Sequence, residues 1–247
     1  MTRKRATQQT TIEALLDASK RDHLPLAHLF VQHRDANDKG IAGPLAAFVS
    51  AHHDRALHQY LLAHAAASGG DWDIAYESAV WARALGLSEK HASSANAISR
   101  NWRWLEDLRL IVRGRTGRLA KISLRYDDGM GNPYQHPSKR KDQFLTLPYA
   151  FWRDGWHRKL DLPAIAILLI ARSLRPGQFR LPQERVQGWY GISASTFQKG
   201  VQGLVRADLL TRTHIQEEAP LLPQGFTQVN LYELKPPFAL KRAKKTS

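Results

Sequence analysis

Residues 193–212, SASTFQKGVQGLVRADLLTR, change from a helical pattern to a strand pattern along their length. The apolar residues have the spacing of one buried helical face and are Phe197, Val201, Leu204 and Val205. Gly191 separates this helix from an upstream helical pattern, because glycine adopts a positive φ at a turn without steric cost. The period becomes that of a strand from Leu209. The stretch therefore predicts two helices joined by a tight turn, with a strand directly after the second helix.

The same succession occurs earlier in the chain, between residues 76 and 125. Residues 105–111 align there with residues 204–210, at the point where a helix pattern gives way to a strand pattern. A second helix is expected over residues 93–108, and a hairpin with a basic tip at residues 115–118 should follow it. Because chance rarely produces this order twice, the sequence predicts a divergent internal repeat.

The chain of 247 residues carries a formal net charge of +14, and this surplus is unevenly placed. Residues 23–82 hold three Lys or Arg against six Asp or Glu, whereas residues 83–125 hold ten against three. A charge run is often only a solvated face. Here the surplus coincides with the first copy of the repeat, which favours a polyanionic partner, nucleic acid before a membrane surface.

Several classes of function lack their sequence signals. The chain has no cysteine, which excludes disulfides, thiolate metal sites and thiol nucleophiles. No apolar run reaches the roughly 18 residues of a membrane span, and the basic, polar N-terminus does not resemble a secretory signal. Since glycine-rich phosphate loops, telling carboxylate pairs and metal-ligand sets are also missing, we expect no enzyme, no catalytic residue and no cofactor.

Four histidines lie close together in the sequence, at His52, His53, His58 and His64. A metal site would need ligands on one helical face, with an acidic partner at a suitable spacing. Only weak matches to that requirement exist. We therefore expect solvent-facing or capping histidines and no metal site.

Residues 184–210, together with residues 76–90 and 99–118, resemble tandem winged-helix proteins of bacteria and of their plasmids and phages. The similar features are a turn glycine, a Ser/Thr-rich start of the recognition helix and a leucine-containing end before the wing. The resemblance covers most of residues 55–125 and 160–234. It implies a mainly α fold with small β wings, which belongs to the α+β class. The fold would consist of two tandem winged helix-turn-helix domains.

The corresponding division of the chain has five parts. They are a basic N-terminal tail (1–22), a first winged-helix domain (23–126), a linker (127–142), a second winged-helix domain (143–234) and a basic C-terminal tail (235–247).

In a winged helix, the recognition helix lies in the major groove and the hairpin reaches the DNA backbone. The recognition helices are expected at residues 93–108 and 193–207, and a basic wing at residues 113–125. The expected base contacts of the first copy are Asn96, Ser99, Arg100 and Arg103, and those of the second are Ser195, Thr196, Gln198, Lys199 and Gln202. The expected phosphate contacts of the first wing are Arg113, Arg115, Arg118 and Lys121.

The leading hypothesis is a sequence-specific double-stranded DNA-binding protein that regulates transcription in the bacterial cytoplasm, at the nucleoid or on a plasmid. A homodimer is one open arrangement, and no membrane partner is expected. The alternative is a plasmid- or phage-type replication initiator or partition protein that binds repeated origin sites. An enzyme with an unrecognised active site is a remote alternative, and a role of one winged helix in protein contact also stays open.

Overall fold

The computed structural model describes residues 5–37, 39–67, 70–88, 91–137, 143–174 and 176–240 of the chain. These residues form an α+β structure with ten α-helices and nine strands, and the strands lie in four small sheets. Helix accounts for 43% and strand for 23% of the structure.

The first half of the chain contains five helices and six strands among its described residues. The helices are α1 (Gln8–Asp17), α2 (Leu45–Ser50), α3 (Asp54–Ala66), α4 (Ser78–Ala84) and α5 (Ala92–Asp107). The strands are β1 (His23–Ala27), β2 (Gln32–Arg34), β3 (Gly40–Ala42), β4 (Asp73–Ala75), β5 (Ile111–Thr116) and β6 (Leu119–Leu124). A short 3-10 helix, His28–Phe30, connects β1 to β2.

The second half contains five helices and three strands among its described residues. The helices are α6 (Ala150–Arg153), α7 (Trp156–Lys159), α8 (Leu162–Ser173), α9 (Gln183–Tyr190) and α10 (Ala194–Arg206). The strands are β7 (Phe144–Pro148), β8 (Leu210–Glu218) and β9 (Phe226–Leu234).

Side-chain caps mark the starts of several helices. Thr7 caps α1, and the carboxylate of Asp161 caps α8 by accepting a hydrogen bond from the amide of Ala164 at 3.0 Å. Ser193 caps α10, where its hydroxyl accepts from the amide of Thr196 at 3.2 Å. Each cap satisfies an amide that has no partner within its own helix, so these residues define where the helices begin.

The helices α5 and α10 end in the same way. Arg109 and Asp208, the residues just beyond the two C-caps, both have a φ of 57°. The next amides, of Leu110 and Leu209, donate to the helix carbonyl five residues earlier, at 3.1 and 2.9 Å. These positions align residue for residue, so the local repeat predicted from the sequence is present in the backbone.

The strand pairs that follow the two helices also correspond to each other. β5 pairs antiparallel with β6, and β8 pairs antiparallel with β9. β4 adds a third strand beside β6, and an isolated bridge between Phe179 and Tyr232 lies at the corresponding place in the second half.

The expected organisation as two tandem winged helix-turn-helix domains is nevertheless wrong. The buried apolar residues form one cluster that runs through both halves, from Ile12 to Phe238. β1 pairs antiparallel with β7 across the halves, with Leu26 opposite Leu145. α1 packs against α3, α4 and α6, and α9 packs against β3. The sequence pattern missed this because these elements lie outside the repeat or find their partners far along the chain.

The segment that the sequence assigns to a linker begins with a buried carboxylate. Asp127 has no exposed surface, and its oxygens accept hydrogen bonds from the amide of Ala27 at 2.8 Å, the hydroxyl of Tyr60 at 2.7 Å and Nε2 of His64 at 2.9 Å. Residues 138–142 of the same segment lie outside the described residues. The boundaries of the five parts stay a prediction.

The two predicted basic tails include residues that belong to the core. Ile12 and Leu16 of α1 are fully buried, and so is Phe238 near the other end of the chain. Most of the basic residues of the two tails fall within residues 1–4 and 241–247, which lie outside the described residues. A contact of those residues with phosphate stays a prediction.

α8 is strongly apolar and is buried over nearly its whole length. It has 12 residues, whereas a membrane span needs about 20. Across the described part of the chain, no helix has both the length and the apolar composition to cross a membrane. The apolar side chains of α8 instead pack against α10, β7 and α2.

Candidate nucleic-acid interface

α5 is held on the protein by apolar and polar contacts on one face. Trp102 is buried and meets Trp81 edge to face, with ring centroids 5.1 Å apart. On the same face, Nδ2 of Asn101 donates to Oε1 of Gln59 at 2.8 Å, and Nε2 of Gln59 donates to the carbonyl of Ile98 at 3.4 Å. Because buried amides need partners, these bonds fix the rotation of α5 about its axis.

The opposite face of α5 carries the residues that the sequence predicts as base contacts. All four are exposed and fall at the i, i+3, i+4, i+7 spacing of one stripe: Asn96, Ser99, Arg100 and Arg103. None of these side chains has a hydrogen-bond or ion-pair partner among the described residues. The stripe therefore presents free guanidinium and amide groups, which can pair bidentately with guanine and adenine edges.

The hairpin of β5 and β6 follows α5 and packs against it, and it carries basic residues of its own. Its strands pair up to Thr116 and Leu119, and Gly117, with a φ of 58°, makes the tight turn between them. Arg115 and Arg118 are exposed at the tip and have no side-chain partner within the part of the chain that the structure describes. These two residues are the most available of the predicted phosphate contacts.

The other two predicted phosphate contacts pair with carboxylates of the protein itself. Nε of Arg113 lies 2.6 Å from Oε2 of Glu106, and Nζ of Lys121 lies 2.5 Å from Oδ2 of Asp73. Although desolvation opposes it, hydrogen bonds from Arg113 lower the pKa of Glu106, and the bond to Asp73 raises the pKa of Lys121. A phosphate would have to displace these carboxylates, so phosphate contact by Arg113 and Lys121 stays a prediction.

α10 carries a second stripe with the same spacing as the stripe of α5. The exposed side chains at i, i+3, i+4 and i+7 are Ser195, Gln198, Lys199 and Gln202. Thr196, also predicted as a base contact, is half-buried and its hydroxyl bonds that of the cap residue Ser193 at 2.9 Å. Gln198 donates to Gln183 of α9 at 3.1 Å, which ties the stripe to the preceding helix.

The prediction for the faces of α10 has one error and one omission. Val205, expected on the buried face, is 42% exposed, whereas Gly200 is buried. A Cβ on Gly200 would lie 2.4 Å from the carbonyl of Pro163, so α8 occupies that face of the helix. Arg206 is exposed one turn beyond Gln202 and extends the polar stripe. The signal that could have identified it is its spacing of four residues from Gln202.

The hairpin of β8 and β9 differs from the first hairpin in charge. Arg180 pairs with Glu217, and Nε of Arg212 donates to Oδ1 of Asn230 at 3.0 Å. Its connecting residues 219–225 contain no cation, and Leu221 there is 99% exposed. This hairpin lacks the free arginines that would make it an equivalent phosphate contact.

The four histidines that are close in the sequence have different environments in the structure. His52 is exposed, the ring of His53 lies 4.4 Å from that of Trp104, His58 bonds Asp54, and His64 bonds Asp127. Among the described residues, no group of three or more His, Asp or Glu is arranged to hold a metal ion.

The candidate interface thus has two exposed stripes of equal spacing, on α5 and α10, and a basic hairpin tip that follows only the first. Comparisons of the chain with known protein families, with characterised proteins and with solved structures found no match.

Proposed function

We propose that the protein binds double-stranded DNA in a sequence-specific manner and regulates transcription, in the bacterial cytoplasm at the nucleoid or on a plasmid. The observation that carries this proposal is the surface formed by α5 and the β5–β6 tip. There Arg100, Arg103, Arg115 and Arg118 are exposed and have no intramolecular partner among the described residues. A helix of this kind fits the major groove, and an adjacent hairpin reaches the phosphate backbone.

In this proposal the helix α5 contacts the bases and the β5–β6 hairpin contacts the phosphates. Arg100 and Arg103 lie one helical turn apart on α5, where they can reach base edges. Arg115 and Arg118 lie at the hairpin tip, where they would hold phosphates and carry no sequence information. Lys199 and Gln202 on α10 would read a second set of bases.

Salt dependence tests duplex binding directly. If roughly six to ten phosphates are neutralised, the logarithm of the affinity should fall with the logarithm of the salt concentration with a slope on the order of −5 to −9. Fluorescence anisotropy of a labelled duplex, titrated at several salt concentrations, measures this slope. Salt-independent binding, or no duplex binding at low salt, would contradict the proposal.

Single substitutions test the division between helix and hairpin. Arg118→Ala should weaken binding to all duplexes alike, whereas Lys199→Ala or Gln202→Ala should change the preference among sequences. Arg153→Gln is the matched control for the loss of charge, because Arg153 on α6 pairs with Glu13 and Asp17 of α1. If Arg118→Ala and Lys199→Ala alter the sequence preference equally, the division is wrong.

The second stripe favours one further candidate, a replication initiator or partition protein that binds repeated origin sites. Two stripes on one chain suit a site with two parts, which a single molecule would cover. Selection of bound sequences from random duplex DNA separates the two functions. Inverted half-sites about one helical turn apart would indicate a dimeric regulator, and direct repeats would indicate the initiator.

A further inference from the structure

A cavity of about 450 Å³ lies between α1, α3, α7 and the turn that follows α4. Its volume falls within the roughly 300–1,000 Å³ that is usual for small-molecule sites. Apolar walls come from Ile12 and Leu62, and the polar lining includes Asp54, Arg55, His58, His157 and Arg158. The cavity therefore has a mixed lining, in which charged and polar groups stand beside apolar ones.

His157 places a buried hydrogen-bond acceptor at this cavity. The residue is 8% exposed, and its Nδ1 lies 3.4 Å from the carbonyl oxygen of Phe151. Burial lowers the pKa of His157 to about 4, so the ring is neutral at neutral pH and its single proton is on Nδ1. Nε2 is then a bare acceptor, and it has no hydrogen-bond partner among the described residues.

His58 places a second unpartnered ring nitrogen beside the first. Its Nε2 lies 3.1 Å from Oδ1 of Asp54, so this nitrogen carries the proton that the carboxylate accepts. Nδ1 is left buried and without a partner in the described part of the chain. The rings of His58 and His157 have centroids 6.3 Å apart. Two buried ring nitrogens without a partner, so close together, match a ligand that brings polar hydrogen-bonding groups.

Two cations line the same cavity. Arg55 and Arg158 are exposed, and neither forms a close ion pair among the described residues, although the charge of Arg55 acts on Asp54. Asp54, the acidic residue of the lining, is already bound to His58. The ligand end that faces these arginines should therefore carry a negative charge.

We propose that this cavity binds a small anionic metabolite whose polar groups hydrogen-bond to His58 and His157, while Arg55 and Arg158 bind its carboxylate or phosphate. α-Amino acids and sugar phosphates share this chemistry, since each combines an anionic group with ammonium or hydroxyl donors.

The cavity also touches the turn that leads to α5. Ala84, Leu85, Gly86 and Leu87 line it, and Nε2 of Gln8 donates to the carbonyl of Ala84 at 3.1 Å. The side chain of Gln8 also lies beside Gly86, since a Cβ on that glycine would be 3.1 Å from Nε2 of Gln8. A ligand that fills the cavity would compete with this contact of Gln8 and so act on the segment that precedes α5. The metabolite thereby acts as an effector of DNA binding, a consequence that rests on the proposed function.

Ligand binding is tested first on the full chain without DNA. L-Glutamate and ribose 5-phosphate are the probes for the two sources, and calorimetric titration should give saturable binding of at least one of them with a Kd below about 1 mM. Arg158→Ala should weaken that binding by at least about tenfold, as should His157→Phe. His52→Gln, an exposed histidine outside the cavity, should bind like the original chain.

The outcomes separate the cavity from its effect on DNA. If neither probe binds, or if Arg158→Ala binds as tightly as the original chain, the ligand site is overturned. Once a probe binds, it should change the affinity for a selected duplex by at least about fivefold. An unchanged affinity overturns the effector role alone. Failure of the protein to bind duplex at low salt, both with and without a probe, overturns the proposed function and leaves the calorimetric result intact.

Discussion

At the scale of single residues, Asp127 connects segments that are far apart in the sequence. Its carboxylate accepts hydrogen bonds from β1, through Ala27, and from α3, through Tyr60 and His64. All of these donors are buried, so water cannot replace the carboxylate. Burial and the neighbouring carboxylate hold the pKa of Tyr60 well above its ordinary value, and the phenol stays a donor.

Replacing Asp127 should be costly for this reason. Asp127→Ala leaves the donors of Tyr60 and His64 buried without an acceptor, which we expect to lower the free energy of unfolding by about 3 to 5 kcal/mol. Asp107→Ala, at an exposed site on α5, should change it by less than about 0.5 kcal/mol. Urea denaturation followed by tryptophan fluorescence measures both. Equal losses of unfolding free energy in the two variants would contradict a special role of the buried carboxylate.

His157 should make the stability of the protein depend on pH in a defined window. Its pKa is about 4 in the folded protein against an ordinary value of 6.5, so between these values the unfolded chain binds more protons. Stability contributed by the neutral ring is present above pH 6.5 and is lost as the pH falls towards 4. We expect a loss on the order of 1 to 3 kcal/mol that His157→Phe does not show.

The measurement is the free energy of unfolding of both chains at pH 7 and at pH 4.5. Other histidines, such as His28, also have lowered pKa values because of burial, so only the difference between the two chains is diagnostic. Parallel pH profiles for the two chains would contradict the assignment to His157.

At the scale of elements, the contact between α8 and α10 depends on one glycine. A Cβ on Gly200 would lie 2.4 Å from the carbonyl of Pro163 and 2.5 Å from Cγ1 of Ile167. The carbonyl belongs to the backbone and cannot turn away, so the helices must separate if the residue is enlarged. The polar stripe of α10 depends on this contact for its position.

Alanine at two helical glycines should therefore have opposite effects. Gly200→Ala should destabilise the protein by about 1 to 3 kcal/mol through overpacking. Gly188→Ala, on α9 where a Cβ meets no atom within 4 Å, should stabilise it by about 0.5 to 1 kcal/mol through helix propensity. Thermal unfolding of the two variants checks the signs. A neutral or stabilising Gly200→Ala would mean that α8 and α10 have room to separate.

At the scale of the whole molecule, the pairing of β1 with β7 joins the two copies of the repeat. Leu26 and Leu145 face each other in this sheet, and both are buried in the core that both halves share. A shared core makes the burial of apolar surface in one half depend on the other. We therefore expect the two halves to unfold together.

Leu26→Ala tests this coupling. It should lower the free energy of unfolding by about 2 to 5 kcal/mol, and hydrogen exchange should show the same loss of protection in α3 and in α8. Phe144→Ala on β7 is the matched control, since Phe144 is 40% exposed, and it should have a much smaller effect. A loss confined to one half would show that the halves unfold separately.

Local patterns allowed part of the structure to be predicted from the sequence. The helices expected at residues 93–108 and 193–207 lie at Ala92–Asp107 and Ala194–Arg206, and the basic hairpin tip forms at Gly117. These features depend on periodicity, on turn residues and, for α10, on the cap Ser193, all of which act over a few neighbouring positions. Positions on the stripe of α5 were predictable for the same reason. The serine cap expected for α5 does not form, because that helix begins after His91 without a side-chain cap.

Distant partners were beyond the reach of those patterns. Arg113 and Arg115 look alike in the sequence, yet Arg113 bonds Glu106 and Arg115 is free among the described residues. The cavity beside His58 and His157 also depends on two helices that are far apart along the chain. Such contacts form only when the chain folds, because they depend on which side chains meet in three dimensions.

The sequence by itself determined the two helix-turn-helix-strand successions, their polar stripes and the excess of positive charge around the first, since these follow from local order and composition. Only the tertiary structure decided that β1, β7 and α1 join both successions around one core. The physical reason is that apolar burial is not directional. An apolar pattern indicates that one face of a helix or strand is buried, and the packing of the whole chain determines which element buries it.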